Sequence, residues 1–311
     1  MVVLGIDIGG TSIKGGLVDN NGQVKDIFNL PIDKSLNQEQ QINALINKIK
    51  DTYNNDEFEG IGLGIPGVIN STTGIVEFSN NLEWKDLEIV RMFNEKFFGK
   101  RIAINNDANV AALGEAKFGS AKNEKNVVMI TLGTGVGSGF IIDGKLYEGE
   151  DCRGAEFGHS LLVMDGLQCN CGRKGCYEMY ASATALIRQA KEAIEKHPES
   201  KLAQRASNGE KVDGKLIFET AKEGCKTSLD VVDTYVRYLC EGLLNICNVF
   251  RPSTILLSGG IANQGDFLVN KVRNYLDDHN YGFPPKKVVN IKCASLGYNS
   301  GIIGAASLLL G

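Results

Sequence analysis

Two periods organise the apolar positions of this chain. Residues 2–8, VVLGIDI, form a near-continuous apolar run, as a strand covered on both faces requires. SIKGGLVD (12–19) reads as a second strand, and Asn21-Gly22 marks a hairpin turn after it. The same pattern returns later. NVVMITL (126–132) is a strand, GTGVGSG (133–139) a glycine loop, GFIID (139–143) a return strand, Asp143-Gly144 a turn, and KLYEG continues it. This recurrence predicts an internal duplication, with two similar domains facing one another. Further strands are expected at GIGLGIPGV (60–68), which runs into a Pro66-Gly67 turn, and at RIAINND (101–107), TILLSGGIA (254–262) and VVNIKCA (288–294).

Helical periodicity appears first at 38–54, where Ile42, Leu45, Ile46 and Ile49 share one face. ANVAALGEAKFG (108–119) is a helix opening just after Asp107, and more helices are expected at 180–197, 215–224, 229–250, 265–278 and 299–310. The polar stretch 198–214 reads as an exposed connection. Strands alternating with helices predict an α/β protein with mixed sheets.

Composition narrows the function classes. A chain of 311 residues, 43% hydrophobic and 23% charged, is long enough for two domains. Its formal net charge is -4 and its basic residues are scattered, which argues against a nucleic-acid or membrane surface. MVVLGIDIGG lacks a basic n-region, and the apolar C-terminal run is too short to span a bilayer, so a cytoplasmic protein is expected. Of eight cysteines, Cys152, Cys225, Cys240, Cys247 and Cys293 are read as free thiols.

Candidate chemistry begins with DIGGTSIK. Asp7 ends a strand and suits a magnesium ion held through water; the Gly9 and Gly10 amides can face phosphate oxygens; Thr11 can donate; Lys14 supplies charge. The alternative is a glycine hairpin with no ligand. The second loop, with Gly133, Thr134 and Gly135, weighs against that, because two glycine hairpins can grip one polyphosphate. Gly259 and Gly260, after another strand, suit the adenosine end of a nucleotide. Neither a Walker P-loop nor a dinucleotide fingerprint is present. In NND (105–107), Asp107 is either a helix N-cap or a base for a sugar hydroxyl; taken alone, the cap is the better reading. His159, Cys169, Cys171 and Cys176 have the ligand types and spacing of a closed zinc site, flanked by Glu156 and Glu178, whose carboxylates can accept from the hydroxyls of a polyhydroxylated ligand. If one imidazole nitrogen of His159 takes zinc, the other is left in a fixed state to bond a sugar hydroxyl. A redox role for these cysteines is disfavoured, since the first pair is C-x-C. His197 and His279 read as surface residues and Trp84 as a core anchor rather than a pocket wall; Asn80 and Asn81 can cap, turn or reach the sugar.

DIGGTSIK, LGTGVGSG, GAEFGH and CNCGRKGCYE together resemble the ROK family of sugar kinases, within the actin/hexokinase/Hsp70 superfamily, over essentially the whole chain. The resemblance implies two duplicated actin-like (ribonuclease H-like) domains with mixed sheets flanked by helices and a cleft between them. The domains are expected at 1–119 plus 299–311, and at 120–298 with the zinc site. It implies ATP with Mg2+, structural Zn2+, a hexose, and a homodimer or homotetramer. Asp107 then looks like the catalytic base; Gly67, Asn81, Asn106, Glu156, His159 and Glu178 like sugar contacts; His159, Cys169, Cys171 and Cys176 like the zinc ligands. The chain departs from the family's G-x-x-G-E-I-G-H run at Ala155 and Phe157. The implied activity is ATP-dependent phosphorylation of glucose to glucose 6-phosphate. N-acetylmannosamine, fructose, allose and β-glucosides are alternative acceptors, and polyphosphate an alternative donor. A non-catalytic sugar-binding protein is opposed by Asp107 and Lys14. A sugar-responsive repressor is opposed by the first hairpin strand starting at Val2, which leaves no room ahead of it for a helix-turn-helix.

Overall fold

The computed structural model describes residues 1–279, 281 and 289–310. The chain divides into two compact units, Met1–Val127 with Gly139–Ala155 and Ser295–Gly311, and Val128–Ser138 with Glu156–Ala294. Residues 139–155 were expected in the second domain; they cluster with the first unit because Glu148, Cys152 and Arg153 bond to side chains at 71, 72, 77 and 105.

In chain order the first unit holds β1 (Val2–Ile8), β2 (Ser12–Asp19), β3 (Val24–Pro31), α1 (Gln38–Thr52), β4 (Gly60–Ile65), β5 (Val68–Asn70), β6 (Ile75–Ser79), β7 (Trp84–Leu87), α2 (Ile89–Lys96), β8 (Arg101–Asn106) and α3 (Asp107–Phe118). There follow β9 (Val127–Leu132), β10 (Val136–Ile142), β11 (Lys145–Tyr147), α4 (Glu178–Ala181), α5 (Ala183–Lys196), α6 (Lys201–Ser207), α7 (Gly214–Lys222), α8 (Lys226–Phe250), β12 (Thr254–Ser258), α9 (Asp266–His279), β13 (Asn290–Cys293) and α10 (Ser300–Ser307), the last returning to the first unit. Two five-stranded sheets have orders β3-β2-β1-β4-β8 and β11-β10-β9-β12-β13. The order is the same when each strand is replaced by its counterpart, which is the duplication expected from the hairpin repeat. β1 pairs antiparallel with β2 and parallel with β4, so the first sheet is mixed.

Both faces of β1 are buried, and its side chains divide by parity. Leu4, Ile6 and Ile8 join the core under α1 and α2, where Ile42, Leu45, Ile46 and Ile49 lie on the predicted apolar face. Val3 turns the other way, to Ile302, Ile303 and Ala306 of α10. Gly5 in β1 and Gly62 in β4 leave no room for a Cβ against α10 carbonyls, so these strand glycines serve helix packing rather than ligand approach. Trp84 is 1% exposed and donates Nε1–H to Gln41 Oε1 at 2.9 Å, an anchor as expected.

In the second unit, α8 presents a long buried stripe to α4, α5, α7 and α9. The expected helix at 180–197 is broken at Ser182, whose hydroxyl accepts from the Ala185 amide and starts α5 afresh. The expected connection 198–214 contains α6, capped by Ser200. The expected strand 288–294 begins on a residue outside the described set; β13 covers Asn290–Cys293. His197 and His279 are exposed, though His279 lies in the last turn of α9, stacked on Tyr275. None of the eight cysteines is in a disulfide.

Candidate active site and metal centre

The first glycine hairpin is closed by the Gly9 amide on the Ser12 carbonyl at 2.9 Å, which leaves Thr11 exposed at its tip. Asp7 and Lys14 are register partners across β1 and β2. The Asp7 carboxylate packs against Gly301 in the first turn of α10, where any Cβ would collide with it. Burial raises the Asp7 pKa, the charge of Asp107 raises it further, and Lys14 opposes both. Lys14 Nζ lies 3.7 Å from the centroid of the Tyr298 ring, a residue the sequence reading passed over. Asn81 Cβ is the nearest atom to the space a Cβ on Gly10 would enter, so this candidate sugar contact adjoins the phosphate hairpin.

At the β8–α3 junction, Asn106 is the helix cap. Its Oδ1 accepts from the Ala108 and Asn109 amides at 2.9 and 3.3 Å, and its Nδ2 donates to the Gly67 carbonyl at 3.1 Å. Two expected sugar contacts, Gly67 and Asn106, are therefore bonded to each other. Asp107 is not the cap. It occupies the first helical position, exposed, with Oδ1 accepting the Ala108 amide at 2.9 Å. Surrounding protein atoms still withdraw water from its carboxylate and raise its pKa, against the backbone amides of Ala108 and Asp107 itself. Before it, Asn105 is 3% exposed and makes three bonds: Oδ1 accepts the Asn106 amide and Asn109 Nδ2, and Nδ2 donates to Glu148 Oε1 at 2.8 Å. The NND run carried a signal for Asn105, but Glu148, 43 residues on, had none in the local pattern.

In the second unit, the loop 133–135 is tied to the start of α5: the Ala183 amide donates to the Gly133 carbonyl and Thr184 Oγ1 to the Thr134 carbonyl, at 2.8 and 2.7 Å. Glu178 occupies the space a side chain on Gly135 would fill, and its Oε2 accepts the Val136 amide at 2.9 Å. Gly135 thus makes room for a carboxylate. Thr134 is exposed, as Thr11 is. Gly137 and Gly139 belong to β10 rather than to the loop. Gly259 takes φ 85° against the Leu132 carbonyl, and Gly260 follows it with open space where a Cβ would stand.

Glu156 precedes the short 3-10 turn Phe157–His159 and accepts the His159 amide on its carbonyl at 3.0 Å. Ala155 has φ 65°, the left-handed region that favours glycine, at the position where the family pattern has Gly. The other departure, Phe157, sets its ring edge-on to Tyr177, 5.6 Å between centroids. Tyr177 follows Cys176, is wholly buried, and donates its hydroxyl to the Leu239 carbonyl of α8 at 2.8 Å. The turn with Glu156 and His159 and the segment with Cys176 and Glu178 therefore share one aromatic anchor.

The four expected metal ligands converge. One ligand atom from each of His159, Cys169, Cys171 and Cys176 lies within 4.8 Å of every other. Cys171 and Cys176 sulfurs are 3.6 Å apart, and His159 Nδ1 is 3.7 Å from the Cys169 sulfur. A tetrahedral zinc–thiolate site with bonds of about 2.3 Å needs a sulfur–sulfur edge of roughly 3.8 Å, so the donor set fits such an ion. The Arg173 amide region lowers the Cys171 pKa, and burial pushes the Cys176 thiol up to about 12. Nδ1 is the nitrogen turned to the sulfurs, which leaves Nε2 for another partner.

The expected residues thus form two sets. The first unit carries Asp7, Gly9, Gly10, Thr11, Lys14, Gly67, Asn81, Asn106 and Asp107; the second carries the 133–135 loop, Glu156, Glu178, Gly259, Gly260 and the cage.

Among known proteins, the chain is 35% identical over 310 residues to the glucokinase of Streptomyces coelicolor, covering 99% of this chain and 97% of that one. It is 32% identical over 310 residues to the glucokinase of Thermotoga maritima, covering 99% and 96%. A crystal structure of a ROK family glucokinase from Streptomyces griseus, in complex with glucose and AMPPNP, superposes with a TM-score of 0.81 at 32% identity, covering 99% of both chains. The ROK family model matches residues 3–311, and the chain belongs to the ROK family.

Proposed function

We propose that this protein transfers the γ-phosphoryl group of ATP to a hexose, glucose foremost, giving glucose 6-phosphate and ADP. Full-length likeness to two glucokinases, and to a third solved with glucose and AMPPNP, supports the reaction class. The observation that carries the chemistry is the division of labour at 106 and 107. Asn106 caps α3, so Asp107 stands at the first helical position as an exposed residue that does not serve as the cap. Ionised, Asp107 accepts the proton of the sugar hydroxyl that attacks phosphorus; the remainder of the catalysis is positioning and neutralisation of charge. Glu156, Glu178 Oε1 and His159 Nε2 of the second unit accept from or donate to other hydroxyls of the sugar, and Gly67, Asn81 and Asn106 are the sugar contacts of the first. Gly9, Gly10, Thr11, Lys14, Gly133, Thr134 and Gly135 face the phosphates, and Gly259 and Gly260 the adenosine. Asp7 would hold Mg2+, and its repulsion with Asp107 is the kind of strain a divalent cation relieves. The ion would neutralise phosphate charge. Zinc in the cage is closed by four protein ligands and would hold His159 in one tautomer.

The test is an ATP-coupled assay across glucose, N-acetylmannosamine, fructose, allose and β-glucosides, repeated with polyphosphate as donor. Glucose with ATP is expected to give the highest kcat/KM. Asp107→Ala should lower kcat by at least about 10²-fold while glucose binding, measured by calorimetry, persists. Turnover within tenfold of the unaltered protein would remove Asp107 from the role.

A further inference from the structure

We propose that Glu148 is a positioning residue for phosphoryl transfer, bracing the turn that presents Asp107. The inference rests on Asp107 being the base, and it concerns a residue far from it in sequence. Glu148 Oε1 accepts two hydrogen bonds, from Asn105 Nδ2 at 2.8 Å and from Ser71 Oγ at 2.7 Å. Asn105 passes the constraint on. Its Oδ1 accepts the Asn106 amide at 2.8 Å and Asn109 Nδ2 at 2.9 Å, so it grips the residue just before Asp107 and one just after. Asn105 is buried, and in this arrangement its Oδ1 accepts twice while its Nδ2 donates to Glu148. Without Glu148, Asn105 Nδ2 would lose its acceptor in a buried site, and rotation of the carboxamide to find another would release both bonds made by Oδ1.

The segment bearing Glu148 is itself held in place. The Gly154 amide returns to the Glu148 carbonyl at 2.7 Å, Cys152 Sγ lies 3.3 Å from Ser71 Oγ, and Arg153 Nε donates to Glu77 Oε2 at 3.1 Å. One residue after this segment ends at Ala155 comes Glu156. A single short strap is therefore braced to the Asp107 turn at its start and continuous with a candidate sugar carboxylate at its end. A misplacement of about 1 Å at a reacting group can cost about 10²-fold in rate, so the brace should register in kcat rather than in substrate affinity.

The experiment compares Glu148→Ala, Glu148→Gln and Asp107→Ala, singly and with Glu148→Ala in the Asp107→Ala background, by steady-state kinetics with glucose and ATP. Glu148→Ala is expected to lower kcat by about 10- to 100-fold with both KM values within about threefold. Glu148→Gln should recover most of kcat, because its carbonyl oxygen can accept from both Asn105 and Ser71. In the Asp107→Ala background, Glu148→Ala should change the residual rate by less than about twofold, as expected of groups that act as a unit. A Glu148→Ala kcat within twofold of the unaltered protein, a Gln variant as slow as the Ala variant, or an equal further loss in the Asp107→Ala background would each overturn the proposal. If Asp107→Ala alone stays active, the base assignment has failed, and that result is separate from any obtained at Glu148. Should Glu148→Ala not fold by circular dichroism, Glu148→Asp replaces it: the retracted carboxylate should show the same kcat-selective loss, and unchanged kinetics would overturn the brace.

Discussion

Two acids and one alanine at the site sit in environments that oppose folding. Asp7 has its pKa raised by burial and then by Asp107; Asp107 has its own raised by the crowding of protein atoms. A carboxylate raised above its ordinary value of 3.8 binds its proton more tightly in the folded chain. The stabilising effect of the neutral form is present below that ordinary value and is lost as pH rises through the folded pKa. Ionisation of either acid in the folded chain therefore carries a cost to stability. Asp7→Asn is expected to abolish activity yet raise Tm at pH 7 by about 1–3 °C, with the gain shrinking as the pH falls towards 4. Equal or lower Tm for the Asn variant at pH 7, in scanning calorimetry, would contradict this. Ala155 adds a local cost of about 1 kcal/mol, because a Cβ is held in the left-handed region.

At the scale of elements, α3 does more than start with a carboxylate. Two turns after Asp107 its Glu115 is fully buried, a residue type that is rarely buried without partners. Oε1 accepts the Ser295 and Leu296 amides at 2.8 and 2.7 Å, and Oε2 the Ser120 amide at 2.8 Å. This carboxylate joins the end of α3 to the chain entering α10, the helix whose first turn receives Asp7. Glu115→Ala would strand three amides and should cost about 3 kcal/mol or more in chemical denaturation. Glu115→Gln should be nearly as harmful, since its NH2 group must face at least one amide donor. A Gln variant as stable as the unaltered protein would show that this carboxylate is not the clamp. The same tightness explains Gly5 and Gly62, where α10 lies directly on the sheet.

At the scale of the whole molecule, the two five-stranded sheets share one strand order, and among the described residues the candidate metal ligands lie in one stretch of the second unit. No helix among the described residues is long and apolar enough to cross a membrane. The cage segment is joined to the helical core through Tyr177, whose ring and hydroxyl are both engaged by α8, and through Tyr180, which takes the Leu167 amide and packs on Tyr238. Loss of zinc would leave three thiols and an imidazole crowded together without the bonds that hold them, and structural zinc is worth on the order of 10 kcal/mol of folding free energy. The protein as purified should carry about one zinc per chain by metal analysis. Chelation or Cys171→Ser should lower Tm and weaken glucose binding together. A zinc-free protein with unchanged Tm and full activity would remove the metal from both roles.

Local pattern reached far into this protein. Apolar period gave the strands and α1, repetition of the hairpin gave the paired sheets, and the spacing of His159 with Cys169, Cys171 and Cys176 gave the cage, because each is written in residues near one another in the chain. The small β5–β7 sheet and α6 escaped notice because their segments are short and mixed in polarity. Which member of the NND run caps and which stays open could not be read from types alone, since Asn and Asp cap almost equally well. That choice was made by Gly67, which draws the Asn106 carboxamide, and by Glu148, which holds Asn105 from more than forty residues away. Sequence alone determined most of the longer elements, their duplication and a candidate metal-ligand set, all governed by short-range periodicity and ligand chemistry. Tertiary structure decided which acids are raised, which glycines serve packing, and which side chains hold the turn before Asp107. Those depend on atoms that meet only after distant segments fold together.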